Sequence, residues 1–175
     1  MWVAICSICM MFAGWTSAFL VRKAQGNWLL FPVPYAFYYS TAVILLSSVT
    51  LHLTLKHFRQ RRMQAFQRML TLTVGLGLLF FVLQIAGFYT MSHAGITLAS
   101  NGEGVSGSFV YVIAWVHLLH LLGGMIALGV MYVLYRRRRN TRIYSSTGLE
   151  ILSTYWHFVD VLWIYLFLFF LFNQK

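Results

Sequence analysis

Leu152-Ser153-Thr154-Tyr155-Trp156-His157-Phe158-Val159-Asp160-Val161-Leu162-Trp163-Ile164-Tyr165-Leu166-Phe167-Leu168-Phe169-Phe170-Leu171-Phe172 carries one formal charge, on Asp160. A bilayer core of about 30 Å is crossed by about 20 apolar helical residues. This stretch has that length, and it has no turn residue to break it. Four further runs match it: Trp2 to Val21, Tyr35 to Leu55, Met69 to Thr90 and Ser108 to Tyr135. The fourth is long enough to tilt or to extend past the membrane. The reading is an all-α, polytopic membrane bundle of five spans that forms one transmembrane domain over residues 1–175.

Composition supports this. Of the 175 residues, 60% are hydrophobic and 9% charged. A soluble domain carries about 25% charged residues, so too little polar surface exists here to cover a water-soluble globule. Disorder, which needs low hydrophobicity and many charges, is excluded as well. The connections are short. Phe31-Pro32-Val33-Pro34 resists helix until Tyr35. Lys56 to Arg68 reads as a basic connection, Met91 to Gly107 as one rich in Gly and Ser, and Arg136 to Glu150 opens with four arginines. No basic segment precedes the first apolar run, which argues against a cleaved signal peptide.

The net charge of +10 arises from 13 basic against 3 acidic residues. One side of the five spans receives Lys56, Arg59, Arg61, Arg62, Arg68, Arg136, Arg137, Arg138, Arg139 and Arg142. The other receives Arg22, Lys23 and Lys175. Basic loops stay cytoplasmic, so the N-terminus is expected inside and the C-terminus outside. Arg136 to Arg139 lie between two spans. They read as a topology anchor touching anionic lipid rather than as a nucleic-acid patch. Trp28 and Tyr35 sit where an interfacial aromatic belt is expected.

Ionisable groups within a span are costly, by about 2.5 kcal/mol or more for a central Asp. Here they are few: His117 and His120 in the fourth span, and His157 and Asp160 in the fifth, with Glu150 just before it. Each pair is three residues apart, hence on one helix face. At about 1.5 Å per residue, His120 and Asp160 reach similar depths from opposite directions. Asp160 is therefore expected to face the bundle and to pair with a histidine or another donor. With His52 the histidines within the spans number four. Three readings stay open: helix-to-helix hydrogen bonding, a haem or metal site, and a proton pathway. Cys6 and Cys9 lack a second pair to complete a structural zinc site. They are expected as buried thiols behaving as small apolar residues. Gly123 and Gly124 mark a strip where backbones approach closely. Gly14 with Ala18, and Gly75 with Gly77, read that way or as ordinary membrane-helix glycine.

Glu150 followed by Tyr155-Trp156-His157-Phe158-Val159-Asp160-Val161-Leu162-Trp163 resembles the last helix of subunit III of the haem-copper cytochrome c oxidases. Gly104-Val105-Ser106-Gly107-Ser108-Phe109, His117, His120 and Gly124 are similar to that family's penultimate helix. Leu46-Ser47-Ser48-Val49-Thr50 with His52, and Met11-Phe12-Ala13-Gly14, fit earlier ones. The resemblance covers nearly the whole chain and matches the shorter, five-helix bacterial form. It implies a multi-pass subunit of the bacterial inner membrane with no catalytic centre, haem or copper of its own. It implies docking on subunit I, which with subunit II would hold the haem and copper, and phospholipid held in a cleft between helices. Further oxidase subunits or a larger respiratory supercomplex would be partners, and nucleic acid would not. The resemblance makes His117, His120, Glu150, His157 and Asp160 structural. The family's mid-membrane glutamate has no counterpart, because Ile8 stands in its place. Quinol oxidases have a closely similar subunit III. An independent haem-binding membrane protein and a small transporter are the readings from other classes.

Overall fold

The computed structural model describes residues 1–26, 32–95, 105–137 and 146–173. Those residues form five helices: α1 (Trp2–Ala24), α2 (Tyr35–Arg59), α3 (Met63–His93), α4 (Val105–Arg137) and α5 (Ser146–Asn173). All five are long and apolar enough to cross a membrane. Each helix runs past its apolar span, because the chain keeps its backbone bonded as it leaves hydrocarbon. The basic stretch 56–68, expected as a connection, is a correction: it is nearly all helix. Only Gln60, Arg61 and Arg62 lie between α2 and α3. Lys and Arg are good helix formers, and Lys56, His57 and Arg59 stand in the last turn of α2, where cations meet the negative end of the helix dipole.

The turn is a Schellman motif. Arg62 N–H donates to the His57 carbonyl at 3.0 Å and Arg61 N–H to the Phe58 carbonyl at 3.0 Å, the 6→1 and 5→2 bonds that close a helix. Arg61 holds the left-handed position, at φ 58°, which a non-glycine residue adopts at a cost.

α2 and α3 form the closest hairpin, α4 and α5 complete a four-helix ring, and α1 lies outside it against α4. Every neighbouring pair in the ring is cross-tied by a hydrogen bond. Gln84 Nε2 donates to Ser40 Oγ at 2.9 Å, and the Thr50 and Thr73 hydroxyls share a bond of 2.9 Å. These join α2 to α3. Tyr111 OH donates to the Phe88 carbonyl at 3.0 Å, joining α4 to α3. Tyr155 OH donates to the His120 carbonyl at 2.9 Å, joining α5 to α4. Trp163 Nε1 donates to Thr41 Oγ1 at 3.1 Å, joining α5 to α2.

The centre is aromatic. Trp163, fully buried, meets Phe37 edge-on at 5.8 Å between ring centroids and Phe80 at 5.4 Å. T-shaped pairs of this kind add about 0.5–1.5 kcal/mol beyond area burial. α1 buries only Ile5, Phe12, Thr16 and Phe19, a single narrow stripe. Cys6 and Cys9 are both exposed, which corrects the expectation of buried thiols: they fall beside that stripe, on the side α4 and α5 do not cover.

Glycine marks closeness selectively. A Cβ on Gly124 would lie 3.2 Å from the Tyr155 ring and 3.3 Å from the Trp156 ring. One on Gly77 would lie 2.5 Å from Met125 Sδ. Gly123, Gly14 and Gly75 face open space. The tightest position is one the sequence did not single out: a Cβ on Gly87 would strike the Phe37 ring, which Phe88 and Trp163 already clasp.

Gly87→Ala is expected to destabilise the bundle by about 1–3 kcal/mol through overpacking. Gly75→Ala, with nothing in its way, should be neutral or slightly stabilising. Unfolding titrations in mixed detergent micelles compare the two. Arg61→Gly should hold or raise stability, by up to about 1 kcal/mol, since glycine takes φ > 0 freely. Arg61→Val should lower it, and a reversed order would refute the strain at this turn.

Candidate functional site

The polar residues of the fourth and fifth spans lie in the middle of the ring, but not as one constellation. On α4, His117 belongs to the buried face with Leu121 and Leu128. On α5, Asp160 belongs to the buried face with Trp156 and Trp163, at spacings of four and three residues. His120 and His157, one step off those faces, are only partly buried.

His117 is 1% exposed and is walled by rings. Trp163 lies 5.1 Å away between centroids, and Phe12 and Phe80 each present an edge at 6.4 Å. Neither of its nitrogens has a hydrogen-bond partner among the described residues. His120 is turned along its own helix, with Nδ1 2.7 Å from the Val116 carbonyl and the Phe12 ring at 5.9 Å. Phe12 thus seats α1 against both histidines. His157 points instead toward α2, where Nδ1 and Ser48 Oγ are 2.6 Å apart and the exposed His52 ring lies at 6.5 Å.

Asp160 is 2% exposed and faces the bundle interior. No histidine pairs with it, and among the described residues neither carboxyl oxygen has a hydrogen bond of ordinary geometry. The polar side chain beside it is Ser48, whose hydroxyl is engaged with His157. Matching depth brought His120 and Asp160 to similar levels, but helix rotation turned them apart. Ser47 Oγ and Trp156 Nε1 are also buried without a partner. Trp156 was legible only as an aromatic, although its spacing of four from Asp160 places both on one face.

Glu150 lies apart from this centre, near the start of α5. Its Oε1 accepts from Arg59 Nη2 at 2.9 Å, which pins the start of α5 to the end of α2. Both side chains are largely exposed, and such pairs contribute about 0–1 kcal/mol. At the opposite end Lys23 Nζ donates to the Asn173 carbonyl at 2.6 Å, tying α1 to α5. The side chains of Arg136 and Arg137, and all of Arg138, Arg139, Arg142, Trp28 and Lys175, lie outside the described residues.

Among the described residues, no three His, Cys, Asp or Glu side chains converge as an ion would require. Two members of the centre make contacts between helices: His157 with Ser48 links α5 to α2, and the His120 carbonyl links α4 to α5. The class so defined is a five-helix, multi-pass membrane bundle.

The comparisons with known proteins narrow that class. The profile described as Cytochrome c oxidase subunit III matches residues 29–174. The chain is 30% identical over 168 residues to the "Probable cytochrome c oxidase subunit 3" of Nocardia farcinica, covering 90% of this chain and 78% of that one. It is 30% identical over 167 residues to the "Cytochrome c oxidase subunit 3" of Corynebacterium diphtheriae, covering 91% and 79%. With the subunit of Bacillus subtilis it shares 28% over 129 residues, covering 73% and 60%. The chain belongs to the cytochrome c oxidase subunit III family. It is therefore a subunit of a respiratory oxidase, associated with other oxidase subunits, in a bacterial inner membrane. The family lacks redox centres of its own.

Asp160→Asn tests the unpartnered carboxyl. Because no ion pair is lost, stability should be unchanged or higher by up to about 1 kcal/mol. Removing one member of a buried ion pair would instead cost about 3–5 kcal/mol. Unfolding titration of the two proteins in the same detergent distinguishes these outcomes.

Proposed function

We propose that this chain is the non-catalytic wall of a proton-pumping cytochrome c oxidase. It lies against subunit I, stabilises it, and holds phospholipid between its helices. Subunits I and II hold the haem and copper and carry out oxygen reduction. The intramembrane polar residues His117, His120, His157 and Asp160, with Glu150 at the α5 end, have structural roles.

The observation that carries this reading is the division of the molecule into a closed core and an apolar exterior. Trp156, Trp163, Phe80 and His117 are enclosed by the chain's own helices, while Val3, Met10, Val49, Val82, Leu119 and Val161 point outward. In hydrocarbon, helices associate through van der Waals packing and shape, not through a hydrophobic drive. A broad outer face of that kind suits a lateral neighbour and lipid. α1 favours the same reading, since it presents all but one stripe to its surroundings.

The ten basic residues named above set the orientation in this proposal, with the N-terminus in the cytoplasm. Arg136 to Arg139 then meet anionic headgroups on that side.

Removing the subunit tests the reading. A membrane oxidase prepared without this chain should keep its haem content and its initial turnover. It should lose activity severalfold faster during sustained turnover, followed by oxygen consumption over repeated cycles. Equal persistence with and without the chain would refute the stabilising role. A Soret band from the isolated chain would refute its standing as a subunit without haem.

A further inference from the structure

His52 and His157 meet across the seam between α2 and α5. Each lies seven residues inward from the Arg59–Glu150 ion pair, one along α2 and the other along α5. At about 1.5 Å per residue, both sit about 10 Å from that end of the bundle, at one level. Their ring centroids are 6.5 Å apart. His52 is exposed and His157 partly buried, so the pair opens on the outer side of the seam.

His157 is held from behind. Its Nδ1 stands 2.6 Å from Ser48 Oγ. Ser48 precedes His52 by four residues, on the same face of α2. Beyond Ser48 is Asp160, 2% exposed, whose carboxyl has no hydrogen bond of ordinary geometry among the described residues. In the tautomer whose Nδ1–H donates to Ser48, the lone pair of His157 is on Nε2.

Metal-binding histidines are prepared in this way. A hydrogen bond from the second ring nitrogen to an oxygen, commonly backed by a carboxylate, fixes the ring and raises its basicity. The second imidazole stands at the same level. A tetrahedral ion about 2.0–2.1 Å from one nitrogen of each ring brings the centroids to about 5 Å. Closing the difference, about 1 Å, takes a modest turn of the exposed His52 side chain. Among the described residues no third His, Cys, Asp or Glu joins the pair. The site is therefore an open one, unlike a structural zinc with four protein ligands, and water takes the other positions.

We propose that His52 and His157 bind a divalent transition-metal ion of the zinc or copper kind that imidazole suits, and that the ion clamps α2 to α5. Ser48 and Asp160 are positioning residues that act through His157. The site belongs to this seam alone and goes beyond the role against subunit I, so it stands or falls separately from docking.

Calorimetric titration of the full chain in detergent with zinc tests it. One ion per chain is expected. Ser48→Ala should weaken binding about tenfold, the effect of an outer-shell partner, and His52→Gln or His157→Gln should weaken it further. His93→Gln, an exposed histidine at the far end of α3, should leave it unchanged. With copper(II) in place of zinc, the paramagnetic resonance spectrum should show two nitrogen ligands in the wild type and one in His52→Gln. Zinc should also raise the unfolding temperature of the wild type and not that of His52→Gln. The exposed position of His52 lets that variant keep its fold. No stoichiometric binding, equal affinity in His52→Gln, or an equal loss in His93→Gln would overturn the site. Unchanged affinity in Ser48→Ala would overturn the positioning role.

Discussion

Hydrocarbon offers a polar atom no partner, and this constraint shapes the whole molecule. In water, an unbonded hydroxyl or amide simply turns to solvent. Here most side-chain hydroxyls and amides find a match inside the chain or reach one of the two ends, while His117 and Asp160 are enclosed without one among the described residues. The result is a ladder of single hydrogen bonds between neighbouring helices: Gln84 with Ser40, Thr50 with Thr73, Ser48 with His157, and Trp163 with Thr41. None is worth much alone, about 0.6 kcal/mol on average within membranes. Their effect is to fix helix rotation, because each bond forms in only one register.

Packing then follows from rotation. Once α5 is set against α2 and α4, Trp156, Asp160 and Trp163 face inward, and Gly77, Gly87 and Gly124 fall opposite rings that need their missing side chains. The aromatic centre is thus less a cause of the bundle than a consequence of its alignment. The two ends are held differently, by charge: Arg59 with Glu150 at one, and Lys23 with the last turn of α5 at the other. Those contacts sit where water returns, and they fix the length of the bundle rather than its interior.

The sequence disclosed much of this and withheld a definite part. Span number and helical class could be read from apolar run length alone, because bilayer thickness sets it. The family could be read from the run around His157 and Asp160. Rotation could not be read. Spacing places His117 with His120, and His157 with Asp160, on shared faces about 60° wide, but the actual neighbours split each pair between core and edge. The same blindness hid Gly87, whose need for hydrogen depends on where the Phe37 ring falls. It misplaced Cys6 and Cys9 as well, since the width of the α1 stripe is a property of α4 and α5. The 56–68 connection was misread for a different reason: charge looked like a loop, while Lys, Arg and Gln are good helix formers.

α1 comes before α4 and α5 in the chain, yet its four-residue stripe fits a groove that exists only after those two have come together. Of the five helices, α1 can therefore be seated only once α5 is in place. Seating it brings Phe12 onto His117 and His120, so α1 closes the remaining side of those two histidines.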